Sequence, residues 1–150
     1  MRLALLLLAA VAACSDGPFG LPSDLSTAVS LSSGLASPGD SITVQLSLTN
    51  PTADPIRILG SSSCFLTFTV RAQDGTDLTA DPRICATIVA TVTLQPGERR
   101  ETSIRWGLAA NGAPLPLGLY MVRAGLALAN EHALQAQSLP TTLRLVASGT

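Results

Sequence analysis

Three cysteines, one histidine and ten carboxylates are the side chains of this 150-residue chain that could carry chemistry. A thiol can attack, bind metal or pair with a second thiol. An imidazole can pass protons near neutral pH, and spaced carboxylates can divide acid and base roles. The single histidine, His132, stands in the run Asn130-Glu131-His132-Ala133. That setting is a turn between strands, and no serine sits in a nucleophile-elbow context, so His132 reads as an exposed loop residue. The three glutamates and seven aspartates fall mostly in turns. Asp40, Asp74 and Asp81 each stand beside turn residues, where bonding to the local backbone accounts for them. Trp106 and Tyr120 have the chemistry to stack on a ligand, yet both take the inward parity of their strands and read as core. A zinc site needs four ligands, and no histidine lies near the cysteines. The sequence contains no phosphate loop or cofactor motif. These residues predict a protein that is not an enzyme and carries no cofactor and no metal.

The cysteines separate by position. Arg2 opens a short positive region, and residues 3–13 form an unbroken apolar run. Eleven helical residues span about 16 Å, roughly half of a hydrocarbon core of about 30 Å. The run therefore has the proportions of a secretory signal and is too short for a membrane span. It ends in Val11-Ala12-Ala13-Cys14, which resembles the bacterial lipobox. The resemblance implies cleavage before Cys14, so that residues 1–13 are a signal peptide, and a diacylglyceryl group on the Cys14 thiol. Each buried methylene contributes about 0.8 kcal/mol, and stable attachment takes at least two acyl chains, which such a modification supplies at one residue. The membrane, through lipid on Cys14, is an expected partner, and the expected location is the bacterial cell envelope. Residues 14–26 follow as a lipidated tether. Gly17, Pro18, Gly20 and Pro22 punctuate it and no period is sustained, although Phe19 and Leu21 have the size to pack on a domain. Cys64 and Cys85 then remain, an even count in an exported chain, and are expected to form a disulfide. Two separate free thiols are the alternative.

The elements that must position these residues read as strands. Ile42, Val44, Leu46 and Leu48 alternate with polar residues, as do Leu66, Phe68 and Val70, then Ile104 and Trp106. Ile84, Ile88, Val92 and Leu94 share one parity, with Thr87, Thr91 and Thr93 on the other. Tyr120, Val122, Ala124, Leu126 and Leu128 make the longest stripe, and Leu143 and Leu145 close the chain. Pro38-Gly39-Asp40, Asn50-Pro51-Thr52, Asp74-Gly75, Pro96-Gly97-Glu98 and Asn111-Gly112-Ala113-Pro114 mark turns. Seven to nine short strands without intervening helices predict an all-β, antiparallel sandwich over residues 27–150. Composition fits one such domain: 47% of residues are hydrophobic and 13% charged, with a net charge of −1. Every basic residue is an arginine and no basic run exceeds Arg99-Arg100, which excludes a nucleic-acid surface.

Several blocks together resemble a known family. The run Ile42-Thr43-Val44-Gln45-Leu46-Ser47-Leu48-Thr49-Asn50-Pro51 is similar to the first strand and asparagine turn of the intracellular proteinase inhibitor (BsuPI-type) family. Phe68-Thr69-Val70-Arg71-Ala72-Gln73-Asp74-Gly75 resembles its second block, a strand closing on an Asp-Gly turn. Thr93-Leu94-Gln95-Pro96-Gly97-Glu98 with Ile104-Arg105-Trp106 resembles its proline–glycine–glutamate turn and tryptophan strand. Leu117-Gly118-Leu119-Tyr120 is similar to its terminal glycine–tyrosine element. The likeness covers roughly residues 40–128 and implies an immunoglobulin-like β-sandwich. The family's name comes from inhibition of a cytosolic protease, whereas the leader of this chain points to export.

Three functions from different classes suit such a chain. The first expectation is a non-catalytic envelope lipoprotein whose sandwich is a protein-interaction module with an unknown protein partner. The second is a protease inhibitor presenting a rigid exposed loop, and the third a structural accessory domain without a discrete ligand. Two loops are candidates for contact. One is residues 108–117, where Asn111, Gly112, Ala113, Pro114, Leu115 and Pro116 form the tip and the prolines lower the entropy lost on docking. The other is residues 77–83, held against Cys85.

Overall fold

The structure is a computed structural model that describes residues 24–78, 80–129 and 137–148. Cys14, Phe19, Leu21 and His132 lie outside the described residues. In chain order the strands are β1 (Ser26–Leu31), β2 (Leu35–Ala36), β3 (Ile42–Thr49), β4 (Ile56–Gly60), β5 (Leu66–Ala72) and β6 (Asp77–Leu78). They continue with β7 (Ala90–Leu94), β8 (Arg99–Trp106), β9 (Ala109–Ala110), β10 (Ala113–Pro114), β11 (Gly118–Leu126) and β12 (Thr141–Leu145). Eight of these have five residues or more, as the alternating stripes require.

Burial follows the period of two. Ile42, Val44, Leu46 and Leu48 of β3 are buried, as are Leu66, Phe68 and Val70 of β5, Ile104 and Trp106 of β8, and Tyr120, Val122, Ala124 and Leu126 of β11. One sheet has the order β1-β3-β8, and the other the order β2-β12-β11-β5-β6. Their inward stripes meet in one core: Phe68 of the second sheet meets Trp106 of the first edge to face, ring centroids 5.4 Å apart. The chain changes sheet early, since β1 pairs antiparallel with β3 while β2 pairs parallel with β12. That parallel ladder departs from the wholly antiparallel expectation; it arises because the crossover brings β2 alongside the last strand in the same direction. The Thr141 hydroxyl donates to the Val29 carbonyl at 3.1 Å and ties the two sheets there. The molecule is an immunoglobulin-like β-sandwich.

A ribbon of β4 and β7 continues the β3–β8 pair of the first sheet beyond a corner. Asn50, fully buried, makes that corner. Its amide donates to the carbonyls of Asp54 and Leu94 at 2.8 and 3.0 Å, and its side-chain oxygen accepts from the Thr52 N–H and hydroxyl. Its backbone bonds to Glu98 and Gly97 across the turn, where Gly97 has φ 72°, a conformation that costs glycine nothing.

Three features differ from the sequence expectation. Leu25 is buried in the core and β1 begins at Ser26, so the sandwich takes in the last residues assigned to the tether. The short β4 is a strand that the sequence pattern does not predict. And the shared inward parity of Ile84, Ile88, Val92 and Leu94 holds only from β7 onward: Leu94 is buried and Val92 packs against the core, while Ile84 and Ile88 are exposed. Residues 80–89 form no ladder, so nothing supplies a second layer to cover those isoleucines.

Candidate functional site

The two large polar aromatics are committed to the fold. Trp106 is 1% exposed and its indole N–H donates to the Ala109 carbonyl at 2.8 Å. The Tyr120 hydroxyl donates to the Pro116 carbonyl, four residues upstream, at 2.8 Å. This is the tyrosine-corner arrangement of immunoglobulin-like sandwiches. Burial, and then the negative charge of Asp74, push the Tyr120 phenol above its ordinary value, which keeps it a donor. Neither ring is free to stack on a ligand, in line with their inward parity.

The expected contact loop, residues 108–117, folds into the small hairpin of β9 and β10. Asn111 and Gly112 form its two-residue turn with φ values of 52° and 78°, the left-handed pair that an Asn-Gly hairpin turn requires. Asn111, Gly112, Ala113, Pro114 and Pro116 are exposed, but Leu115 is buried and its N–H donates to the carbonyl of the equally buried Leu108. The loop therefore offers a polar tip with prolines beside it, while Leu108 and Leu115 belong to the core and Leu117 is exposed.

The second candidate is more closely held. Residues 77–78 are β6, paired with β5 in the register Val70↔Leu78, and the Asp74-Gly75 turn joins them as the sequence predicts. Beyond β6 the Asp81 carboxylate accepts from the Thr67 hydroxyl at 2.8 Å and from the Arg83 N–H at 3.1 Å. The Arg83 guanidinium lies 2.6 Å from Asp81 and donates to the Leu66 carbonyl, also at 2.6 Å. Burial raises the Asp81 pKa, but the bonds from Arg83 and Thr67 and the Arg83 charge outweigh it and hold the carboxyl below 3.8. Cys85 is disulfide-bonded to Cys64, 21 residues earlier in the chain. Next to it, the Ala86 N–H donates to the Ser63 hydroxyl at 2.9 Å and the Ala86 carbonyl accepts from the Ser63 N–H at 3.0 Å.

Between these anchors, exposure alternates: Asp81, Arg83 and Cys85 are half-buried, and Pro82, Ile84 and Ala86 point to solvent. Ile84 is fully exposed, with Ile88 and Val89 at 47% and 70%. The sequence pattern puts Ile84 and Ile88 on one parity with the inward Leu94 and does not mark them as outward. The signal lay in Cys85, whose parity is opposite to that of Ile84, so a cysteine turned inward to pair forces that isoleucine outward. The remaining carboxylates include ion pairs of Asp77 with Arg71, Glu98 with Arg100, and Glu101 with Arg99, at 2.7, 2.9 and 2.6 Å. Among the described residues no three His, Cys, Asp or Glu side chains gather to hold a metal.

Comparison with known proteins adds to this geometry. A family model described as BsuPI, intracellular proteinase inhibitor, matches residues 29–131, more than half of the chain. No curated protein sequence matches it. Among solved structures, an alkylpurine DNA glycosylase of Pseudomonas fluorescens is similar with a TM-score of 0.54 and 8% identity, over 83% of this chain and 31% of that one. A β-glucosidase of Erythrobacter marinus gives a TM-score of 0.49 at 16% identity, over 81% of this chain and 15% of the enzyme. A CARDB domain of Pyrococcus furiosus gives 0.45 at 17% identity, over 88% of this chain and 95% of that domain. The chain thus spans less than a third of either enzyme, and the likeness to the glycosylase speaks to the fold alone.

Proposed function

Because the chain belongs to the BsuPI family of intracellular proteinase inhibitors, we propose that it is a non-catalytic protein that binds a proteinase and blocks it. The observation that carries this is the extent of the match: residues 29–131 take in every strand except β12 and the first half of β1. The interaction-module expectation becomes specific in this way, with the partner a proteinase. Two features of the sandwich support a binding role over chemistry. The aromatic polar groups are used internally, and Asp77, Asp81, Glu98 and Glu101 are each held by an arginine.

The same proposal places the protein in the envelope. The apolar run at residues 3–13 followed by Cys14 supports export and lipid attachment, so that the inhibitor acts at a membrane surface on envelope proteinases. The test is the hydrolysis of a labelled protein substrate by an envelope extract, with the purified folded chain added in rising amounts. Dose-dependent loss of hydrolysis is expected, ending when inhibitor equals susceptible active sites. Full hydrolysis with the folded chain in large excess would overturn the inhibitor reading and favour a structural accessory domain.

A further inference from the structure

Three properties coincide in residues 80–89. The segment is fastened at both ends of a short span: the Asp81–Arg83 pair and its bonds to Thr67 and the Leu66 carbonyl on one side, the Cys64–Cys85 bridge and the Ala86–Ser63 pair on the other. Within that span, side chains alternate between the protein body and solvent. The outward ones are apolar, and Ile84 projects fully into solvent between two anchored neighbours, Arg83 and Cys85. A loop already held in an extended shape loses little conformational entropy when it docks. Exposed aliphatic side chains clustered on one such loop mark an interaction site more than they mark a solvated surface.

Charge and size then define what Ile84 fits. The nearest cation, Arg83, is turned inward and neutralised by Asp81, so the loop presents no basic side chain to an acidic pocket. Residues 80–89 contain no aromatic ring for a wide, flat pocket, and residues 84–97 carry no charge. In the loop at residues 108–117 Leu108 and Leu115 are buried, and the outward Leu117 is 56% exposed where Ile84 is fully exposed. Resting on the inhibitor reading, we propose that residues 80–89 are the proteinase-binding loop and that Ile84 fills the primary pocket of an endopeptidase selective for small or branched aliphatic side chains. Hydrolysis of the Ile84–Cys85 peptide bond adds one water across it and releases nothing, because the disulfide still joins the two pieces. The loop is thereby built to remain in the cleft.

The test measures inhibition constants of the folded, non-reduced chain against an elastase, a trypsin and a chymotrypsin, alongside the envelope extract. The elastase is expected to be inhibited more strongly than the other two. Ile84→Asp should weaken inhibition about 100-fold or more, the size expected for a central anchor, while Ile84→Val stays within about fivefold. Both variants should keep the parent's thermal midpoint, since the fully exposed Ile84 gives up no burial when replaced. Asn111→Asp, at the hairpin tip, should leave the constants unchanged. Inhibition that survives Ile84→Asp, that is lost instead with Asn111→Asp, or that is confined to trypsin or chymotrypsin overturns the loop assignment while the inhibitor reading stands. Inhibition of the extract without inhibition of the elastase overturns the pocket assignment alone. No inhibition in any arm overturns both.

Discussion

Buried polar side chains carry much of the definition of this sandwich, because each must find its partners inside. Asn50 is fully buried and uses its side-chain amide and oxygen to close the corner between β3 and β4 against Leu94 and Thr52. Asn50→Ala would remove the amide bond to the carbonyl of the fully buried Leu94 and leave the corner without its brace. Losing a buried partner costs the desolvation of the group left behind, so a destabilisation of about 2–4 kcal/mol is expected, read as a lower urea midpoint. Tyr120 is a milder case. Tyr120→Phe keeps the ring in the core and removes only the bond to the carbonyl of Pro116, an exposed residue. Water can replace that bond, so the cost should be about 1 kcal/mol with an unchanged denaturant slope. A loss as large as that of the Asn50 variant would mean that the corner carries more than one hydrogen bond.

At the scale of elements, the clearest local device is the clasp of Asp81, Arg83 and Thr67 beside the disulfide. The Asp81 carboxyl is below its ordinary 3.8 in the folded chain, which therefore holds that proton less tightly than the unfolded chain does. Its contribution to stability is complete above about pH 4 and is lost as pH falls through the native value. Asp81→Asn removes this dependence. The difference in urea midpoint between parent and variant should be widest near pH 6 and shrink as the pH drops toward 2. A difference that stays constant would show that Asp81 acts through packing and not through charge. Asp74, Asp77 and Glu98 are also shifted down, but they are common to both proteins, so the comparison cancels them. The bridge itself closes a span of 21 residues, for which the chain-entropy account gives about 3 kcal/mol. Reduction should lower the thermal midpoint by roughly 10 °C for a domain of this size. Trp106 reports the transition, with blue-shifted emission while folded because its ring is buried against Phe68. An unchanged midpoint in reductant would place the stability of the segment in the clasp alone.

The same elements show what a sequence can reveal. The β3, β5, β8, β11 and β12 stripes were legible because their buried apolar residues recur at every second position over at least part of each strand. β1 was not, because it shows no fully buried residue and its composition is that of a polar linker. β4 places the apolar but outward Leu59 directly after the inward Ile58, so its alternation is hidden in the sequence. Residues 84–89 mislead for the opposite reason. Their hydrophobicity suggested a core strand, whereas the disulfide parity of Cys85 turns Ile84 outward.

For the whole molecule, two sheets share one core, so folding and attachment are separable. The core begins at Leu25 and no core side chain depends on a residue before it among those described. Anchoring is proposed to reside in Cys14, eleven residues upstream, with two or more acyl chains giving attachment that no surface of the sandwich needs to supply. Cys14→Ser removes the acceptor thiol while changing nothing in the sandwich or in the Cys64–Cys85 pair. The variant should accumulate with its leader uncleaved or appear free of membranes, and its purified domain should melt at the parent's temperature with the same Trp106 emission. It should also inhibit a soluble proteinase with the parent's constant, because residues 80–89 are untouched, yet protect membrane-bound substrates less well for want of local concentration at the surface. Fractionation after an alkaline salt wash decides the point. A serine variant that is cleaved normally and still sediments with membranes would show that the attachment lies elsewhere in the chain, and that the short apolar leader serves export alone.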